Sequence, residues 1–164
     1  MARWREDPTE SEWLGEAEIP ADPVCAWDTE KNTMSVFIAD SGIRTVEQLA
    51  AAIAATRASL QDFEYVMFES DDLKCAGLQL AEAEGKTADV ASNRLHRNLV
   101  NISAQKLVAL TARIRQRGVA QACDRVPRKV VATHIVRGLQ EGRLDRAKIA
   151  DKTFESAQKH AKIQ

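Results

Sequence analysis

At Thr87 the spacing of the apolar residues changes character, and this change constrains the fold more than any other feature of the chain. Before it, apolar residues come in short runs of strand length broken by glycine, proline and acid. After it they recur almost throughout at helical intervals. Such a chain reads as α/β (α+β). A small N-terminal sheet of three to four short strands, with one long and one short helix, is followed by a basic all-helical C-terminal half of about four helices. The expected organisation is a partly ordered, acidic arm over 1–23, a small α/β layer over 24–86, and a basic helical region over 87–164 that forms one folding unit with the layer.

Local signals set the elements. Val24-Cys25-Ala26-Trp27 and Met34-Ser35-Val36-Phe37-Ile38 read as two strands joined by a polar turn. Thr45 with Gln48 three residues on has the spacing of a capping box, and Val46, Leu49, Ala50, Ile53 and Leu60 continue a helix to Gln61. Glu64 to Phe68 is a third strand, Ser70-Asp71-Asp72 caps a short helix that Gly77 ends, and Leu78 to Ala81 is a fourth strand. In the second half, Thr87 or Asp89 caps a helix through Val100, Ser103 caps one to Gly118, and Pro127 starts a third. Gly138 and Gly142 weaken its end. Leu144 to Ile163 reads either as one terminal helix or as a helix-turn-helix, with Arg146 to Ala150 supporting a reading helix from Thr153 to Ala161.

The same boundary separates charge. Residues 1–89 hold 19 acidic against 7 basic side chains and residues 90–164 hold 5 against 16, within a total of −1. Charge of this kind bears on partners and association rate. At 164 residues with 45% apolar and only 5% aromatic side chains, the chain supports one ordinary domain whose core rests on Ala, Leu, Ile and Val. Cys25, Cys75 and Cys123 are an odd, widely spaced set, which favours free thiols. No signal-like or membrane-spanning run of apolar residues occurs, so the expected location is cytoplasmic.

The densest positive stretch comprises Arg113, Arg115, Arg117, Arg125, Arg128 and Lys129, opposed only by Asp124. Guanidinium forks match phosphate or carboxylate oxygens two at a time, so this set is the expected partner- or polyanion-binding site. Bases in the last turn of a helix also complement its dipole, which gives Arg113 to Arg117 a structural alternative. Asn93, His96 and Arg97 are expected to lie on one helix as a polar site, since residues three or four apart share a helix face. Trp4 and Trp13 mark an arm that either covers the domain's own flank or docks on a partner.

Complete catalytic signatures are missing from the sequence. Cys123 lies among arginines, which favours a thiolate, but a phosphate loop would need an arginine where Lys129 stands and glycines between. Gly85-Lys86-Thr87 ends like a phosphate-binding loop, yet Leu80 occupies the position of its first glycine. Asp71 and Asp72 suit a helix start better than paired acid–base chemistry. His96, His134 and His160 have no metal-ligand spacing, so neither metal nor other cofactor is expected.

These features give a non-catalytic accessory or regulatory protein that docks on a larger protein complex through a charge-segregated surface. The alternatives are a nucleic-acid-associated protein that follows the phosphate backbone with its basic half, and an enzyme of unrecognised type. Phe154 is the only aromatic residue of that half, so nucleic-acid binding would be backbone-directed. Self-association through the opposite-charge halves is a further expectation.

Overall fold

The computed structural model describes residues 33–39, 42–117 and 123–161, with Arg117 and Cys123 described by their backbone alone. The Trp4 and Trp13 arm, the Val24 to Trp27 strand and the Arg117 and Cys123 side chains therefore lie outside the described residues. The described chain is mixed α/β. In order it runs β1 (Met34–Phe37), α1 (Val46–Ala55), β2 (Phe63–Val66), α2 (Ser70–Cys75), β3 (Gln79–Glu82), α3 (Val90–Asn93), β4 (His96–Val100), α4 (Ala104–Arg117), β5 (Cys123–Val126), α5 (Arg128–Gln140), a 3-10 turn (Arg146–Lys148) and α6 (Asp151–Ala161). The strands form two small antiparallel sheets, one ordered β1-β4-β3 and the other pairing β2 with β5.

Two compact units interleave along the chain. Of the described residues, the first holds 33–36, 64–82, 98–117 and 123–124, and the second holds 37–39, 42–63, 83–97 and 125–161. In the first unit Leu107, Leu110 and Ile114 repeat at helical spacing along α4 and bury against Met34, Leu73, Ala76, Leu78 and Leu99. Leu99 and Leu110 are wholly buried, so each contributes roughly 2 kcal/mol of transfer free energy. Ser103 sets the start of α4, its hydroxyl accepting the Lys106 N–H at 3.3 Å.

The second unit is built around alanine. Ala50, Ala51, Ala52, Ala54 and Ala55 are all buried on α1, and their small side chains let α5 and α6 pack closely on it. Thr45 begins α1 with the expected capping box, accepting the Gln48 N–H while the Gln48 side chain accepts the Thr45 N–H. The helix stops at Ala55 instead of Gln61. Its last carbonyl, Ala55 O, accepts the Ala150 N–H, and just beyond the helix Arg57 O accepts the Thr153 hydroxyl, so another helical turn is not needed to satisfy this end. Leu60 is still buried, reached from the segment after the helix. Gly138 is buried inside α5, and a Cβ there would lie 2.8 Å from Leu144 Cγ, so the glycine admits Leu144 against the helix.

The second half is not all helix, which corrects the reading from periodicity. The helix expected through Val100 is only the four residues of α3, and the chain then forms β4, the middle strand of its sheet. As the middle strand, β4 pairs on both edges and buries Leu99, and these tertiary gains outweigh local helix preference. The Cys123 to Val126 stretch, between the expected helix to Gly118 and the one from Pro127, likewise pairs with β2 as β5. The segment from Leu144 forms neither alternative, since one 3-10 turn of three residues precedes α6 and buried Ile149 separates them.

Candidate functional site

Of the expected basic cluster, Arg125, Arg128 and Lys129 gather at the start of α5. Pro127 opens that helix, with its φ of −58° already suited to a helix entry, but it offers no side-chain cap. An acidic residue from 66 positions earlier supplies one: Asp62 Oδ1 accepts the Arg128 backbone N–H at 2.7 Å. Asp62 Oδ2 lies 3.6 Å from Arg125 Nη1, with both side chains well exposed. Asp62, Pro127, Arg128, Lys129 and His160 line a cleft of about 350 Å³.

The electrostatics of this cleft are one-sided. The first turn of α5 has no acidic residue and carries Arg128 and Lys129, next to the positive end of the helix dipole. Bases are disfavoured at that end, so their placement costs stability that a bound anion would return. Among the described residues lining the cleft, Asp62 is the sole carboxylate.

The remaining predicted residues lie elsewhere. Arg113 and Arg115 are on α4, in the other unit. Arg113 Nε is 3.9 Å from the buried Asp72 carboxylate, and Arg113 Nη1 donates to Gln116 at 3.1 Å. Arg115 is exposed. Asn93, His96 and Arg97 do not share a helix face: Asn93 ends α3, while His96 and Arg97 belong to β4. His96 is buried, packs edge-on against Phe37 and holds Nδ1 at 3.2 Å from Ala83 O. A carbonyl only accepts, so this nitrogen carries the proton. Arg97 Nη1 is spent on the carbonyls of Arg94 and His96. These bonds hold backbone in place and leave no common polar site.

Asn93 belongs to a network that the sequence showed only as a helix cap. Its Oδ1 accepts the Thr87 N–H at 2.7 Å and the Thr87 hydroxyl at 2.8 Å, while its amide donates to Thr87 O. Gly85 lies against it, and a Cβ there would fall 2.7 Å from Asn93 Cα. The Asp89 carboxylate, almost wholly buried, accepts Arg44 through Nε at 2.6 Å and Nη2 at 3.2 Å, Ser92 Oγ at 2.8 Å, and the Ala91 N–H at 2.9 Å. Burial pushes its pKa up, but the Arg44, Ser92 and Ala91 bonds prevail and hold the carboxyl below its ordinary value. Every Asp89 oxygen has a donor, which marks a lock on the 85–93 loop. A third cluster surrounds His134, where Glu141 takes Arg143 Nε at 2.6 Å and Arg137 Nε at 3.2 Å.

Among the described residues no group of three or more histidine, cysteine or acidic side chains is arranged to hold a metal ion, and no helix is long and apolar enough to cross a membrane. No protein-family model, curated protein or solved structure matches the chain.

Proposed function

We propose that this chain is a non-catalytic accessory or regulatory binding protein, which docks an acidic segment of a larger protein in the cleft at the start of α5. One observation carries the reading: Arg128 and Lys129 stand at the positive end of a helix, beside Arg125 and His160, around a cleft large enough for a carboxylate side chain. Charge concentrated in this way favours fast, salt-sensitive association with an acidic partner.

The pattern of the other bases favours protein over nucleic acid as that partner. Following a phosphate backbone takes a run of cations in one groove. Here Arg44, Arg113, Arg137, Arg143 and Arg146 each lie against an acid of their own molecule, at Asp89, Asp72, Glu141, Glu141 and Asp151. Interleaving of this kind leaves a local positive cleft instead of a continuous stripe.

The test is fluorescence anisotropy with a labelled deca-glutamate peptide, and with a single-stranded oligonucleotide of similar length, at low and high salt. The expected result is salt-sensitive peptide binding that the paired reversal Arg128→Glu and Lys129→Glu abolishes in a folded protein. Preference for the oligonucleotide would put the phosphate-backbone reading in its place. Peptide binding that ignores the reversal would remove the cleft from the site.

A further inference from the structure

Asp62 occupies the position in which the cleft would receive an anion. It is the carboxylate that meets the first backbone N–H of α5 and the Arg125 guanidinium, and it arrives from the segment before β2, outside the helix it caps. Resting on the docking reading above, we infer that Asp62 is a built-in competitor, an internal carboxylate that an acidic segment of the partner must displace.

Three features suit Asp62 to that role. It holds the site with one 2.7 Å bond to backbone and one looser 3.6 Å ion pair, so little is lost when it leaves. Its side chain is 46% exposed, so a leaving carboxylate passes directly into water. Asp62 also precedes β2 by one residue, where rotation of a single side chain clears the cleft without moving a strand. The incoming carboxylate takes over the same two donors. Arg128 and Lys129 side chains then supply charge that Asp62 alone does not neutralise.

The consequence is a threshold on affinity. An isolated acidic side chain exchanges for Asp62 with little net gain, whereas a segment with several acids gains additional contacts to Arg128 and Lys129. The site therefore selects dense acidic runs over single surface carboxylates, which suits a partner-specific docking protein.

Asp62→Asn tests the inference, because the amide oxygen still accepts the Arg128 N–H while the competing charge is gone. The expected result is about fivefold tighter binding of labelled deca-glutamate at low salt than the natural protein shows, an increment on the scale of one exposed ion pair. Asp62→Ser, which also keeps an acceptor, should tighten binding in the same direction, and guards against one variant folding poorly. In the natural protein, the Arg128 backbone amide resonance should move as peptide saturates the site. Peptide binding by the natural protein that neither variant tightens, with an unmoved Arg128 amide, overturns the competitor role and leaves the docking reading intact. Failure of the natural protein and both folded variants to bind peptide overturns the docking reading and the competitor role together.

Discussion

Asp89 and Asp62 do similar local work in opposite surroundings. Each meets a backbone N–H at the start of a helix and each lies beside an arginine. Asp89 is buried, its arginine is held by two bonds, and Ser92 fills the remaining acceptor capacity. Asp62 is half exposed, its arginine stands off at 3.6 Å, and a cleft opens beside it. Burial therefore separates structural use of this acid–base chemistry from use that a partner can share. In the closed setting, removing one member strands charges in a low-dielectric region. In the open setting water replaces what is lost, and another anion can do the same.

The largest expected effect falls on the closed side. Asp89→Ala leaves the Arg44 guanidinium, the Ser92 hydroxyl and the Ala91 N–H without their acceptor, and should cost about 3–5 kcal/mol in chemical denaturation. A loss no greater than that of Asp62→Ala would erase the distinction between the two settings. Its pH dependence has a definite sign. The folded-state pKa lies below the ordinary 3.8, so the carboxylate's contribution is complete above that value and disappears as pH falls through the folded pKa.

Gly85→Ala probes the same lock through shape alone. The new Cβ would meet the Asn93 backbone, which cannot rotate aside as a side chain tip could, so the Thr87–Asn93 bonds must open. A loss of about 2 kcal/mol is expected, with hydrogen exchange at the Thr87 amide accelerated. Unchanged protection at Thr87 would show that the loop tolerates the intrusion and is less closed than its bonds suggest.

On the open side, Asp62→Ala should cost about 1–2 kcal/mol, the value of a helix cap plus an exposed ion pair. A loss approaching that of Asp89→Ala would mean that Asp62 is a structural keystone, at odds with its exposure of 46%.

The sequence made these two settings legible to different degrees. Short-range signals were reliable: Thr45 and Gln48 form their capping box, Pro127 opens α5, and the two strands around Ser70 to Gly77 occur where their apolar runs place them. Each of these depends on neighbours within a few residues. β4 and β5 were missed because their identity comes from pairing with strands elsewhere in the chain, β1 and β2 far earlier and β3 nearer, and His96 to Val100 carries no strict alternation to show it. The same distance concealed both acid–base pairs. Nothing near Asp89 points to Arg44, 45 residues earlier, and nothing near Arg128 points to Asp62. The basic stretch is dense along the chain, but Arg113 and Arg115 belong to a different unit from Arg125, Arg128 and Lys129.

His134 sharpens the comparison from between the two extremes, with the smallest effect. Partly buried on α5, its Nδ1 has no protein hydrogen-bond partner, and the charges acting on it are Glu47 of α1, Arg137 of α5, and Glu141 and Arg143 beyond its end. Burial lowers its pKa below the ordinary 6.5; Glu47 and Glu141 pull upward, and Arg143 and Arg137 downward. The unfolded chain therefore takes up this proton more readily than the folded one. Stability should be complete above about pH 6.5, decline as pH falls towards the folded pKa, and level off below it. His134→Gln keeps a polar side chain without a titrating group, so its denaturation midpoint should lose that part of the slope below about pH 6.5. An identical slope in the variant would mean that His134 is as well solvated as Asp62. A slope as steep as that of a closed ion pair would place it with Asp89 instead.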